Sequence, residues 1–391
     1  MSKMQLSLDN YLNKLKQVDT VHSYGMVSKI VGLMIESVGP IVKIGEICRV
    51  YSNKDNEYIL AEVVGVRNEN VLLMPLGELK GIGYGSRVVS TDSTIKVSVG
   101  MELVGRIIDG FGKPIDGKEK IITSCQYPID NQPPNPLDRR PIDKIFPLGV
   151  RAIDALLTCG RGQRIGIFAG SGVGKSTLLG MFARNSKSDI NVIVLVGERG
   201  REVNEFIKND LKEEGLKKSV LVVATSDQPA LIRMKSAMLG TAIAEYFRDQ
   251  GLNVMLLVDS LTRFSMAQRE IGFSVGEPPV SRGYTPSVFA VMPKLLERAG
   301  NSDKGSITGL YTVLVDDDDM NEPIADTARG ILDGHIVLSR SLASKNHYPA
   351  IDILASISRL MPTIADNSHL KTASKLRNVL SVYRDAQDLI N

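Results

Sequence analysis

"IFAGSGVGKSTLLG", residues Ile167–Gly180, decides the fold of most of the chain. The apolar run "RIGIF" leading into it reads as a buried strand, and "STLLGMFAR" behind it as a helix. A glycine-rich turn between strand and helix is the setting in which "AGSGVGKS", Ala169–Ser176, cradles a nucleotide phosphate. Gly170, Gly172 and Gly174 let the backbone curl, so that N–H groups along Gly170–Thr177, Ser171 and Val173 included, point at phosphate oxygens. The helix N-terminus adds its dipole. Lys175 reaches the β- and γ-phosphates, and the Ser176 hydroxyl is placed to ligate Mg²⁺. Ala169 stands where the first motif position usually holds glycine.

Outward from this loop the pattern alternates strand and helix. "RIGIFAG", "NVIVLVGE", "VLVVATS", "VMLLVDS" and "LYTVLVDD" are near-continuous apolar runs, expected of parallel strands buried on both faces. Helical stretches at Ser176–Ala183, Val203–Glu213 and Met234–Arg248 separate several of them. The expected fold is α/β: a P-loop domain with a mostly parallel, doubly covered sheet over residues 93–359. Before it, residues 22–92 carry short β-branched runs cut by glycine, the mark of a small β-barrel. Between Cys125 and Arg140, "CQYPIDNQPPNPLDRR" reads as an extended strap. Residues 1–21 place Met4, Leu8, Leu12 and Leu15 on one face of a short helix, which packs on its own domain or docks a partner. Residues 360–391 turn helical again.

Composition excludes other classes. The 391 residues are 43% hydrophobic and 23% charged, the balance of a globular protein. The 47 basic and 44 acidic residues nearly cancel, and no basic stripe or polybasic run argues for nucleic acid or a lipid surface. No apolar run approaches the ~20 residues of a membrane span. No signal peptide is visible, so a cytoplasmic protein is expected. Cys48, Cys125 and Cys159 lack any metal or paired spacing and read as reduced thiols.

Two carboxylates complete the chemistry. "VMLLVDS" ends a buried strand in Asp259, where a carboxylate can hold the water shell of Mg²⁺; its plainer reading is a helix cap. "NVIVLVGE" ends in Glu198, expected on a strand adjacent to the P-loop strand and facing the γ-phosphate as the base for water. Arg199 beside it orders the site. Glu202 and Glu205 fall on the following helix and read as solvated or paired. Ser52–Asn56, "SNKDN", misses the guanine-reading NKxD spacing by one position. Asp316–Asp319 lacks the ligand alternation of a Ca²⁺ loop. The four histidines are scattered and build no zinc site from spacing.

"AGSGVGKST", "GERGREVNEF", "DSLTRFSMAQREIGFSVGEPPVSRGYTPSVF" and "HYPAIDILASISR" together resemble the α/β-type rotary ATPases, and within them the flagellar type III protein-export ATPases. "MPLGELKGIGYGSRV", "GRIIDGFGKPIDG" and "NPLDRRPIDKIFPLGVRAID" extend the resemblance over essentially the whole chain. It implies a homohexameric ATPase ring beneath a membrane export gate, each subunit a β-barrel, a RecA-like nucleotide domain and a helical domain, cytoplasmic and peripheral to the membrane, with a stalk protein and chaperone–substrate complexes as partners. It implies that residues 1–21 bind a regulatory stator-like subunit. Lys175 and Ser176 fall on the P-loop lysine and Mg²⁺ ligand, Glu198 on the catalytic glutamate, and Asp259 on the Walker B aspartate. Tyr348 falls where the family stacks an aromatic ring on adenine. Arg359 falls on the arginine finger, supplied across the subunit boundary; its plainer reading is an ion pair within its own subunit.

Ser265 and Met266 depart from the family, off the phosphate motifs. The family's helical domain runs beyond Asn391, so residues 360–391 are expected to form a truncated start of it. Related readings are the injectisome ATPases and a rotary-synthase catalytic subunit. A ring RNA helicase would need exposed aromatics beside basic residues, and Tyr24, Tyr51, Tyr58 and Tyr84 show no basic clustering in the sequence. A nucleotide-binding module without turnover is the non-enzyme alternative.

Overall fold

The computed structural model describes residues 23–53, 57–315 and 319–390, with side chains to 387. The helix expected at residues 1–21 lies outside the described residues, as do most of "SNKDN" and of the aspartate run. The chain divides after Thr94 into two compact units.

The first unit is a closed antiparallel barrel of β1 (Tyr24–Val31), β2 (Met34–Val38), β3 (Glu46–Tyr51), β4 (Tyr58–Arg67), β5 (Asn70–Pro75) and β6 (Arg87–Thr94), in the order β1-β2-β5-β4-β3-β6. Alternate residues point inward. Cys48 and Val50 of β3 join Val27, Ile35, Val63, Leu73 and Val88 in the core, while Arg49 faces out. Asn68 and Glu69, with φ of 46° and 67°, make the two-residue turn that pairs Arg67 with Asn70. Two arginines meet the tyrosines here, which corrects the expectation of aromatics without basic neighbours. The Arg87 guanidinium lies 4.5 Å over the Tyr51 ring and Arg49 lies 5.2 Å over Tyr58. The pairs lie 36 residues apart (Arg87 and Tyr51) and 9 apart (Arg49 and Tyr58) and meet only across neighbouring strands, so no local run of charge announces them.

The second unit opens with β7 (Lys96–Val99), β8 (Ile107–Asp109) and β9 (Cys125–Pro128); β7 pairs with β9 as a ribbon. The strap that follows is anchored by buried charge. The Arg298 guanidinium donates to the Ile129 carbonyl (2.6 Å) and to both oxygens of Glu245 (2.8 and 2.7 Å), which also accepts from Asn131 (2.8 Å). The main sheet contains β10 (Arg164–Ala169), β11 (Ile190–Glu198), β12 (Ser219–Thr225), β13 (Asn253–Asp259), β14 (Gly300–Asn301), β15 (Ser306–Leu314), β16 (Gly334–Leu338) and β17 (Ile351–Ser358). Its order is β17-β16-β10-β15-β13-β11-β12-β8, with β14 beside β15. All pairs are parallel except β16–β17 and β14–β15. Parallel strands put their C-terminal ends on one edge, where loops build sites.

The order corrects one expectation: β11 is not adjacent to the P-loop strand β10, because β15 and β13 lie between them. The helices at Lys175–Asn185, Ala230–Asp249 and Leu261–Val275 cover the sheet with apolar faces such as Leu178, Leu179 and Phe182. Residues Met361–Ile364 and Asn367–Ile390 are helical. Among the described residues no helix is long and apolar enough to cross a membrane.

Candidate active site

The P-loop turns out of β10 at Gly170 and re-enters helix at Lys175, with Gly172 and Gly174 at φ of 77° and 84°. Only glycine adopts such angles without strain, and the turn they make aims the loop's N–H groups into one cavity. Val173 is the loop's anchor: its side chain is buried in the core. Gly180 lets the helix lie against the segment Phe206–Leu211, which is wound as a π-helix. A Cβ on Gly180 would sit 2.5 Å from the Asp210 carbonyl oxygen.

The cavity is about 490 Å³ and is lined by Gly170–Gly172, Gly174–Thr177, Glu198, Arg199, Glu202 and Asp259, with Arg263, Phe206 and Asp210 further along. Lys175 Nζ donates to Asp259 Oδ1 and lies 3.8 Å from Glu198 Oε1. Thr312 Oγ1 also donates to Asp259 Oδ1 (2.6 Å), which holds the carboxylate in place from the neighbouring strand. Three strand spacings, about 14 Å, separate β10 from β11, and Lys175 meets Glu198 from the helix that follows β10. The register of β11 with β12 shifts between Val196 and Glu198, where Gly197 has φ 69°, so the strand is irregular where Glu198 meets the cavity.

Burial, and then the Asp259 carboxylate, push the Glu198 carboxyl up to about 7 against the pull of the Lys175 ammonium. A carboxyl poised there suits a base working near neutrality. Glu202, read as solvated or paired, does pair with Arg199 (3.1 Å). Its bond with Glu198 and the Arg199 charge hold its carboxyl below the usual range. Arg199 itself is mostly exposed at the rim. Arg263 escaped the sequence reading. Ser260 caps the helix that follows Asp259 by accepting from Arg263 N–H (3.2 Å), so Arg263 falls on its first turn, against Gly197. An arginine four residues past a strand-ending aspartate was the available signal.

Ser176 and Asp259 offer hard oxygen donors at the mouth of this loop, a set that suits Mg²⁺ shared with water and phosphates. Among the described residues no cluster of three His, Cys, Asp or Glu could hold a metal alone. The Tyr348 ring lies at the P-loop: a Cβ on Gly174 would be 3.3 Å from its Cδ1 and Cε1. Arg359 is not brought to the cavity. The register aligns Ala169 with Leu338 and Leu338 with Ile351, while Gly334 aligns with Ser358. β17 therefore begins on the P-loop edge and ends, before Arg359, on the opposite edge, about 17 Å away over the five rises of β10. There the exposed Arg359 donates to the Arg329 carbonyl (3.0 Å) and pairs with no carboxylate among the described residues.

Residues 27–92 match the ATP synthase alpha/beta family, beta-barrel domain, and residues 149–358 the nucleotide-binding domain of the same family. The chain is 56% identical over 389 residues to the flagellum-specific ATP synthase of Bacillus subtilis (strain 168), covering 99% of this chain and 88% of that one. It superposes on the assembled ATPase EscN from the enteropathogenic E. coli type III secretion system with a TM-score of 0.88 at 48% identity, covering 94% of this chain and 88% of that one. EscN in complex with its central stalk EscO gives a TM-score of 0.86 at the same identity and coverages. With the P-loop, both carboxylates and the barrel in the family's order, this chain belongs to the ATP synthase alpha/beta family.

Proposed function

We propose that this chain is the ATP-hydrolysing subunit of a homohexameric ring that energises flagellar type III protein export, engaging substrates, releasing chaperones and unfolding cargo. The observation that carries the proposal is the division of its charged groups. Lys175, Glu198 and Asp259 converge in one cavity, while Arg359 stands on the other sheet edge with no acid partner among the described residues. A second copy can bring that arginine to the cavity.

In this reading the Gly170–Thr177 backbone and Lys175 hold the phosphates. Ser176 and Asp259 would hold Mg²⁺, which when bound would supply positive charge against that of the phosphates. Glu198 takes a proton from water as the water oxygen bonds to the γ-phosphorus and the bond from phosphorus to the bridging oxygen breaks, releasing ADP and phosphate. Arg199 orders the rim through Glu202, Tyr348 stacks on adenine, and Arg359 of a neighbouring copy braces the charge of the transferring group. The chain works as a barrel (22–92), a catalytic domain (93–359) and a helical segment (360–391), with residues 1–21 docking a stator-like regulator. A stalk protein, the export gate and chaperone–substrate complexes are the further partners. The ring works in the cytoplasm, peripheral to the inner face of the membrane, and binds no nucleic acid.

Phosphate release per chain, followed against protein concentration, tests this. The rate should climb with concentration and stay low for Arg359→Ala. Mixing Arg359→Ala with Lys175→Ala should restore release, since an intact P-loop then meets an intact arginine across a boundary. No recovery in the mixture means that Arg359 does not act between copies. An injectisome role is the second reading, favoured by the likeness to EscN; loss of motility in a deletion strain separates the two.

A further inference from the structure

Gln163, the residue just ahead of the P-loop strand, has no exposed surface, and every polar atom of its side chain is engaged. Its Oε1 accepts from Gly160 N–H (2.7 Å); its Nε2 donates to the Asp333 carbonyl (2.9 Å) and to Ser358 Oγ (3.2 Å). Ser358 spends its own proton on the Thr158 carbonyl (2.7 Å), so it can only accept from Gln163 and the amide has one orientation. Both acceptors bracket Arg359: Ser358 precedes it in the chain, and the Asp333 carbonyl receives Arg359 N–H (3.0 Å). Arg164, the next residue, adds a second tie, since its backbone N–H and its Nε both donate to Asp333 Oδ2 (3.1 and 3.0 Å).

We propose that Gln163 is a positioning residue for Arg359, tying the guanidinium that one copy offers its neighbour to the strand that carries its own P-loop. This rests on the reading of Arg359 as acting across the boundary. The connection is short and stiff. A buried amide with its donors and acceptor all satisfied cannot shift without stranding a polar atom. β10 runs straight from Gln163 to the phosphate loop, with Ile165, Ile167 and Ala169 packed in the core. A shift of the Gln163 end of β10 would therefore move Ser358 and Asp333, and with them Arg359.

The test compares Gln163→Leu, Arg359→Ala and the double variant in the assembled protein, by steady-state hydrolysis, fluorescent-nucleotide binding and particle mass. Gln163→Leu should lower kcat roughly 10- to 100-fold, as misplaced groups do, while KM, nucleotide affinity and assembly stay within about twofold. In the Arg359→Ala background it should cost nothing further, because the group it positions is gone. Ser358→Ala, a smaller lesion at the same joint, should lower kcat in the same non-additive way and serves if Gln163→Leu fails to fold. A full kcat in the folded variants, or a cost that adds to that of Arg359→Ala, overturns the proposal. The Lys175→Ala plus Arg359→Ala mixture separates the layers: recovery there with additive Gln163 effects sinks only the tie, whereas no recovery sinks the cross-boundary reading beneath it.

Discussion

Replacing Glu198 by glutamine should stabilise the nucleotide-free protein at alkaline pH while abolishing turnover. The carboxyl titrates at about 7 in the fold against 4.5 for an ordinary glutamate, because it is buried and faces Asp259. Its side chain is 11% exposed, so solvent screens little of this. At ~1.4 kcal/mol per unit, ionised Glu198 costs ~3 kcal/mol of folding stability. The folded state holds the proton more tightly than the unfolded chain. The ~3 kcal/mol that this proton contributes to wild-type stability is therefore fully present below pH 4.5, declines as pH rises, and is lost above pH 7. Glutamine keeps the shape and carries no charge, so Glu198→Gln should melt a few degrees higher than wild type at pH 8, with the gap closing toward pH 5. Thermal melts with chelator present read this directly. Hydrolysis by wild type should rise through pH 7 in kcat/KM as the base ionises. A gap that does not change with pH, or a wild type more stable at pH 8, would refute the argument from burial and like charge.

Other perturbations probe the scaffold. Glu245→Ala strands the Arg298 guanidinium, whose side chain is 4% exposed, and should cost about 3–5 kcal/mol of stability in denaturant melts. Gly180→Ala drives a Cβ to 2.5 Å from the Asp210 carbonyl, which is backbone and cannot swing aside. It should cost about 1–3 kcal/mol and weaken nucleotide binding by shifting the π-helical wall of the cavity.

Local signals carried far in this sequence. Strand, glycine turn and helix are contiguous around Lys175, and Asp259 and Glu198 each end an apolar run, so their place at the C-terminal edge of a sheet could be read from short windows. Strand order could not. The crossovers that put β15 and β13 between β10 and β11 depend on packing among segments far apart in the chain, and "NVIVLVGE" looks the same in either position. Arg263 was missed for a different reason. It lies on a helix rather than at a strand end, and only the Ser260 cap, which starts that helix at once, turns it to the cavity. Gln163 is less visible still, since its partners Asp333 and Ser358 lie 170 and 195 residues away.

The direction of one edge strand has the largest consequence for function. β17 is the last strand of the sheet and runs antiparallel to β16, against the direction of the nucleotide-site strands. Its start therefore stands beside the P-loop, where Tyr348 meets Gly174, and its end carries Arg359 to the far edge. Had the strand run parallel, the residue that ends it would stand on the P-loop edge, within reach of the cavity in the same subunit. A cis arginine would then make each chain competent alone. With the strand reversed, the Arg359 backbone lies about 17 Å along the sheet from the end of β10, the separation that the proposed role across a subunit boundary calls for. On that proposal, dependence of hydrolysis on assembly follows from strand polarity, and the concentration dependence of phosphate release tests it.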